Sequence, residues 1–194
     1  MKGFEKRENQ FNIKEKWKKQ TLIIFALSAG IICVCFFVFN FVLFPIRYKN
    51  YVTEYSKKYD LDKALVYAII KTESNFDKNA VSSSNARGLM QIIEPTGKWI
   101  ASELEDEFLK DNLFIPEINI EYGCFYLNYL FEKFGDTDTV ICAYNAGESA
   151  VRNWIGELGT IDPNKITYSE TKNYLSKVKD YYNIYKSHIF FKWN

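Results

Sequence analysis

Histidine occurs once in this 194-residue chain, at position 188. A single imidazole excludes the paired-histidine H-E-x-x-H zinc site and argues against Ser-His-Asp or Cys-His nucleophilic arrangements. The four cysteines include no C-x-x-C pair. Cys33 and Cys35 fall in a long apolar run. Cys124 and Cys142 lie on other apolar stretches, where they could form a disulfide or pack as buried free thiols. No metal or cofactor motif is found, and no cofactor is expected. Excess charge is missing too: 25 Lys+Arg against 24 Asp+Glu leave +1. The balance is uneven, because residues 1–20 hold seven Lys/Arg and three Glu, a net of +4, so the rest nets −3. A folded part of that charge has no basic footprint for nucleic acid. Repeats, low-complexity linkers and strand-like alternation are also absent.

What is there begins with Thr21–Phe44, which carries no charge and only Thr21, Ser28 and Asn40 as polar residues. A helix over Leu22–Phe44 would span about 35 Å, enough to cross a bilayer core. A buried soluble helix has no use for a surface apolar all round in so small a domain. A cleaved signal peptide would have a shorter apolar region ending in a small-x-small site, and this run ends Phe41-Val42-Leu43-Phe44-Pro45. The run therefore reads as an uncleaved signal-anchor in the lipid bilayer. Seven basic residues precede it, and Arg47, Lys49, Lys57 and Lys58 follow. The positive-inside rule places the N-terminus in the cytoplasm and the remainder outside. The organisation is then a basic tail (1–20), a membrane helix (21–44), a connector (45–50) and one domain (51–194). So short a connector keeps the domain near the membrane surface.

The domain reads as helices joined by loops. Asp60 or Asp62 can cap a helix running to about Ser74. Asn119 can cap another through Phe134, stopped by Gly135. Asp136 or Thr137 opens a third that breaks at Asn145-Ala146-Gly147, and Glu148 or Ser149 restarts helix through Ile155. Thr167-x-x-Glu170 has the form of a capping box for the last helix. There, Tyr174, Val178, Tyr181 and Tyr185 share one face, as core packing requires. Gly123, inside a helix, costs about 1 kcal/mol relative to Ala, which close approach of another element would justify.

One carboxylate stands out. Val66, Ile69, Ile70 and Glu73 are spaced 3, 1 and 3, so Glu73 projects from an apolar stripe at a helix C-terminus. Desolvation and the negative end of the helix dipole both raise a carboxyl pKa there. A glutamic acid protonated near neutral pH is what cleavage of a glycosidic bond needs. Alone, the pattern fits a solvated glutamate at a helix end better. Around it, however, stand Thr72-Glu73-Ser74-Asn75-Phe76, then Gly88-Leu89-Met90-Gln91, then Ala143-Tyr144-Asn145-Ala146-Gly147, then Glu170-Thr171-x-x-Tyr174. Four motifs in this order resemble the catalytic domain of lytic transglycosylases, the lysozyme-like enzymes that cut bacterial peptidoglycan. The resemblance covers about residues 50–190.

The resemblance implies a mainly α, lysozyme-like fold with little or no sheet, preceded here by one transmembrane helix. It implies Glu73 as catalytic acid and base. It implies Ser82 in the cleft wall, Gly88, Leu89, Met90 and Gln91 as a substrate-contacting turn, Tyr144 facing the reacting sugar with Asn145 beside it, and Glu170 and Tyr174 across the cleft. The family usually has Gly where Asn85 stands, and Asn is the residue after Gly that best tolerates φ > 0. Its proline after G-L-M-Q falls one residue later here, as Pro95. The implied reaction leaves a 1,6-anhydro end on N-acetylmuramic acid without consuming water. Two rivals remain: a goose-lysozyme-like hydrolase, which needs Asp77, Glu94 or Glu170 facing the cleft, and a membrane-anchored glycan-binding module.

Overall fold

The structure is a computed structural model that describes the backbone of residues 2–157 and 159–193 and the side chains of residues 16–39, 42–157 and 159–187. Contacts divide the chain into two units, 1–46 and 47–194. The first is helix α1 (Lys2–Phe37) continued by a π-helical turn, Val38–Leu43. The basic segment is thus helical and runs straight into the apolar one. Residues 16–37 are all exposed, and Lys16–Phe37 is long and apolar enough to cross a membrane.

The second unit contains α2 (Lys49–Lys58), α3 (Lys63–Ser74), α4 (Glu94–Glu103), a 3-10 turn (Lys110–Phe114), α5 (Pro116–Phe134), α6 (Thr137–Ala146), α7 (Glu148–Arg152) and α8 (Ser169–Trp193). Among the described residues there is no sheet, only the isolated bridges Val81–Arg87, Arg87–Ile92 and Ile155–Ile161. The mainly α expectation holds.

Local chemistry sets most helix ends. Asp62 caps α3, its carboxylate accepting from Ala64 N at 2.8 Å. Asp136 caps α6 by accepting from Thr139 N at 2.9 Å and Thr139 Oγ1 at 2.7 Å. Gly135, at φ 69°, stops α5, and Gly147, at φ 82°, ends α6. Three boundaries differ from the sequence reading. Helix α5 begins at Pro116, whose missing N–H costs nothing in a first turn. Asn119 therefore lies inside α5, and its amide serves distant partners instead of a cap. Helix α7 stops at Arg152, short of Ile155. There the chain turns so that Gly156 N donates to Thr160 O at 2.9 Å and Ile161 N donates to Thr139 Oγ1 at 2.8 Å. Helix α8 begins at Ser169, two residues after the Thr167 expected as its cap.

Helix α3 is the centre of the core. Seven consecutive residues, Ala64–Ile70, are buried, so it is enclosed on all sides. Its main partner is α8, which also packs on α6, while α5 supports α6, α2 and α4. Tyr67 stacks on Tyr185 with centroids 5.3 Å apart, and Phe76 packs against both at 6.2 and 6.4 Å. Tyr174, Val178 and Tyr185 are buried and Tyr181 half-buried, as the one-face spacing predicts. Cys124 and Cys142 are buried free thiols, which settles the disulfide alternative.

Candidate active site

Glu73 lies in the last turn of α3, and the chain then reverses abruptly. Asn75 (φ 51°) caps α3 in the left-handed region, and Phe76 (φ 66°) follows in the same region. A bulky residue rarely adopts that conformation, and here the buried packing of Phe76 on Tyr67 and Tyr185 holds it. This turn ends α3 just past Glu73. Ser74 Oγ donates to Leu89 O at 2.8 Å and so joins the first motif to the second.

The Glu73 carboxylate is met from α8. Tyr174 Oη donates to Glu73 Oε1 at 2.6 Å. Burial pushes the Glu73 carboxyl up from 4.5 to about 7, with the Tyr174 hydrogen bond pulling it down and the charge of Glu170 pushing it further up. The carboxyl is therefore poised between acid and anion near neutral pH. Burial and the nearby Glu73 charge hold the phenols of Tyr144 and Tyr174 well above their ordinary range, so both stay protonated donors.

A cleft of about 410 Å³ opens over Glu73. Ser82, Gln91, Tyr144, Asn145 and Glu170 line it together with Glu73. Ser82 Oγ accepts from Ser84 N at 3.2 Å and Ala86 N at 3.1 Å, which folds the serine loop onto the rim. Asn85, at φ 59°, supplies the left-handed residue that the loop requires. Gln91 donates its Nε2 to Ala80 O at 3.1 Å and Gly88 O at 2.9 Å, so its amide nitrogen braces the loop. Tyr144 Oη donates to Met90 O at 2.8 Å, and Asn145 Oδ1 accepts from Thr171 Oγ1 at 2.8 Å. The tyrosine expected to face sugar thus also fastens α6 to the G-L-M-Q turn.

Three expected contact residues sit elsewhere. Leu89 and Met90 are fully buried, and their side chains belong to the core. Gly88, at φ 76°, faces Leu113 and Asn119: a Cβ there would lie 2.2 Å from Leu113 O and 2.4 Å from Asn119 Nδ2. The reason is Asn119, whose Oδ1 accepts from Met90 N at 2.7 Å. Its Nδ2 donates to Arg87 O at 2.9 Å and Leu113 O at 2.8 Å. Met90 fills the space that Gly123 leaves, since a Cβ on Gly123 would meet Met90 Sδ at 2.2 Å. The turn is built to shape the cleft floor from below.

The cleft also has a wall that the motifs missed: Ser83, Ser84, Ile93, Thr96 and Tyr126. Tyr126 follows Gly123 by about one helical turn and is half-buried on the same face of α5, whereas Thr96 carries no local signal. Of the acids that could serve a hydrolase, Glu170 alone reaches the cleft among the described residues. Asp77 accepts from Asn79 N at 2.9 Å, and Glu94 pairs with Lys98 and Lys110 at 2.8 and 3.0 Å. Pro95 sits in the first turn of α4, where it is compatible with helix, so the shifted proline leaves that wall intact.

Residues 50–167 match the family described as Transglycosylase SLT domain. The chain is 33% identical over 151 residues to the soluble lytic murein transglycosylase of Salmonella typhimurium, covering 74% of this chain and 23% of the relative. It is 31% identical over 167 residues to the membrane-bound lytic murein transglycosylase C of Serratia proteamaculans, covering 72% of this chain and 47% of that one. Among solved structures, the 70 kDa soluble lytic transglycosylase of Escherichia coli superposes with a TM-score of 0.70 at 30% identity, over 75% of this chain and 25% of that one. A 70 kDa soluble lytic transglycosylase solved in complex with bulgecin A superposes equally well, with a TM-score of 0.70 at 30% identity. An inactive glutamate-to-glutamine mutant of the Pseudomonas aeruginosa Slt superposes with a TM-score of 0.69 at 26% identity, with the same coverage. The chain thus spans about a quarter of the soluble relatives' length and under half of the membrane-bound one's. Glu170 and Tyr174 fall just beyond the matched residues, yet they complete the surroundings of Glu73. With well over half of its length matched, the chain belongs to the Transglycosylase SLT domain family.

Proposed function

We propose that this protein is a membrane-anchored peptidoglycan lytic transglycosylase that cleaves the β-1,4 bond between N-acetylmuramic acid and N-acetylglucosamine. The observation that carries the reading is a half-buried glutamate, raised to about 7 and held by a tyrosine, in an open cleft. Its relatives named as lytic murein transglycosylases support the substrate, and so does a relative that binds bulgecin A.

Glu73 gives its proton to the glycosidic oxygen as the C1–O bond breaks, and positive charge develops at C1 of the muramic ring. The carboxylate so formed takes the proton of that sugar's C6 hydroxyl, and the C6 oxygen closes onto C1. The proton count returns to its start, and no water enters. Intramolecular attack has a high effective concentration, so no second carboxylate is needed to place a nucleophile. Tyr174 fixes the Glu73 rotamer and offers its hydrogen bond to the carboxylate stage. Ser82, Gln91, Tyr144, Asn145 and Glu170 form the walls that orient the strand. A hydrolytic route would ask Glu170 to hold a water; the transglycosylase names of the relatives favour the anhydro route.

The basic N-terminal segment lies in the cytoplasm and residues 45–194 outside, where the wall is. The relative named membrane-bound supports an anchor, and the Lys/Arg bias supports the direction. The test of activity is release of soluble fragments from purified peptidoglycan by the full chain in detergent. Loss of release in Glu73→Gln is expected. Equal release by parent and variant would overturn the role of Glu73.

A further inference from the structure

Beside the cleft lies an aromatic group that none of the four motifs explains. Two helices each place one residue on the cleft wall and an aromatic ring three residues further on: Thr96 and Trp99 on α4, Tyr126 and Tyr129 on α5. Residues three apart share a helix face, about 4.5 Å further along the axis. The second residue of each pair therefore continues the wall begun by the first. The rings form an unbroken series. Tyr126 lies 5.4 Å from Tyr144 of the cleft and 6.2 Å from Tyr129, the latter nearly parallel at 18°. Trp99 closes the series, 4.7 Å from Tyr129 and 6.3 Å from Tyr126.

These rings differ from those of the core. Tyr67, Phe76 and Tyr185 are 1%, 2% and 0% exposed, whereas Trp99, Tyr126 and Tyr129 all keep part of their surface open. They also carry polar neighbours. Trp99 Nε1 donates to Glu103 Oε1 at 3.1 Å at the edge of its ring, while Lys133, paired with Glu148 at 2.7 Å, stands 4.4 Å over one face of Tyr129. Half-open rings with polar side chains beside them suit a sugar, whose C–H face stacks on an open ring surface while its hydroxyls bond to the polar neighbours. Fastening α4 to α5 alone would require neither the open surface nor the polar neighbours.

We propose that Tyr129 and Trp99 form a saccharide-binding subsite that extends the cleft and holds the same glycan strand at least one sugar beyond those at Glu73. The occupant is the strand itself, because the ridge is continuous with the cleft through Tyr126. The proposal rests on the glycan reading of the cleft. Its consequence is a preference for long strands over short fragments.

The test measures binding apart from turnover. The full chain carrying Glu73→Gln, in detergent, is titrated with N-acetylglucosamine oligomers of two and six sugars. The hexamer should bind more tightly than the dimer. Trp99→Ala and Tyr129→Ala, each added to that protein, should weaken hexamer binding about tenfold and collapse the hexamer-to-dimer ratio. Trp99→Phe keeps a ring for packing and should retain part of the ratio. It carries the test with Tyr129→Ala if Trp99→Ala lowers the melting temperature. A ratio unchanged in folded variants, or equal loss for both oligomers, overturns the subsite alone. Failure of both oligomers to bind the Glu73→Gln chain overturns the glycan reading of the cleft and the subsite with it.

Discussion

Burial raises the Glu73 carboxyl to about 7, and the same burial weakens the fold as pH rises. Its folded pKa, about 7, lies above the ordinary 4.5. Between those values the folded chain holds a proton that the unfolded chain has released. Stability is therefore greatest below pH 4.5 and declines as pH rises to about 7. Partial exposure tempers the effect to on the order of 2 kcal/mol. Glu73→Gln should melt higher than the parent at pH 8 and equally at pH 4; a difference independent of pH would contradict this assignment. The same variant should lose at least about a hundredfold in turnover, the lower range for a general acid. Parent activity should fall as pH rises through about 7, because the anion cannot donate a proton. Tyr174→Phe removes the hydrogen bond that lowers the Glu73 pKa. Its alkaline limb should therefore move to higher pH with reduced turnover. A shift to lower pH would mean that Tyr174 does not stabilise the carboxylate.

At the scale of elements, the G-L-M-Q turn is held by one amide on another helix. Asn119→Ala would leave Met90 N and the Leu113 carbonyl without the partner that Asn119 supplies, while the Arg87 carbonyl would keep only Ile92 N. Each such buried group costs about 1–3 kcal/mol, so urea unfolding should show a loss of about 2 kcal/mol or more. Gly88→Ala should be at least as damaging, since φ 76° and the Leu113 carbonyl both oppose a Cβ. Retention of wild-type midpoints by both variants would remove the turn from its supporting role. These interactions also explain what the sequence conceals. Asp62, Asp136, Gly135 and Gly147 act on their own neighbours, so the ends they set are legible in order along the chain. Asn119 has the composition of a cap, but its partners lie 6 to 32 residues away. Leu89 and Met90 look like part of a binding turn because the motif is contiguous, yet both side chains are buried in the core. Glu73 and Glu170 were legible as cleft acids through their motifs. That Tyr174 reaches Glu73 across 101 residues, and that Tyr144 bonds to Met90 O across 54, depends on helix packing that no local pattern reports.

The whole molecule joins an apolar helix to an enzyme-like unit through very little chain. Full-length protein should sediment with membranes, and residues 45–194 alone should be recovered in the soluble fraction. Membrane association of the truncated chain would place an additional anchor in the folded unit. Within that unit, α3 contributes the acid, α8 the tyrosine that holds it and Glu170 opposite, and α4, α5 and α6 the walls. The proposed chemistry rests on this arrangement: a glutamate raised to about 7 beneath an open cleft, with Glu170 as the other carboxylate lining it among the described residues. Mass spectrometry of peptidoglycan digested by the full chain tests that claim most directly, with Glu73→Gln as control. Fragments ending in 1,6-anhydro-muramic acid, absent from the control, are the predicted result. Fragments ending in reducing muramic acid would contradict it and make Glu170 the holder of a hydrolytic water.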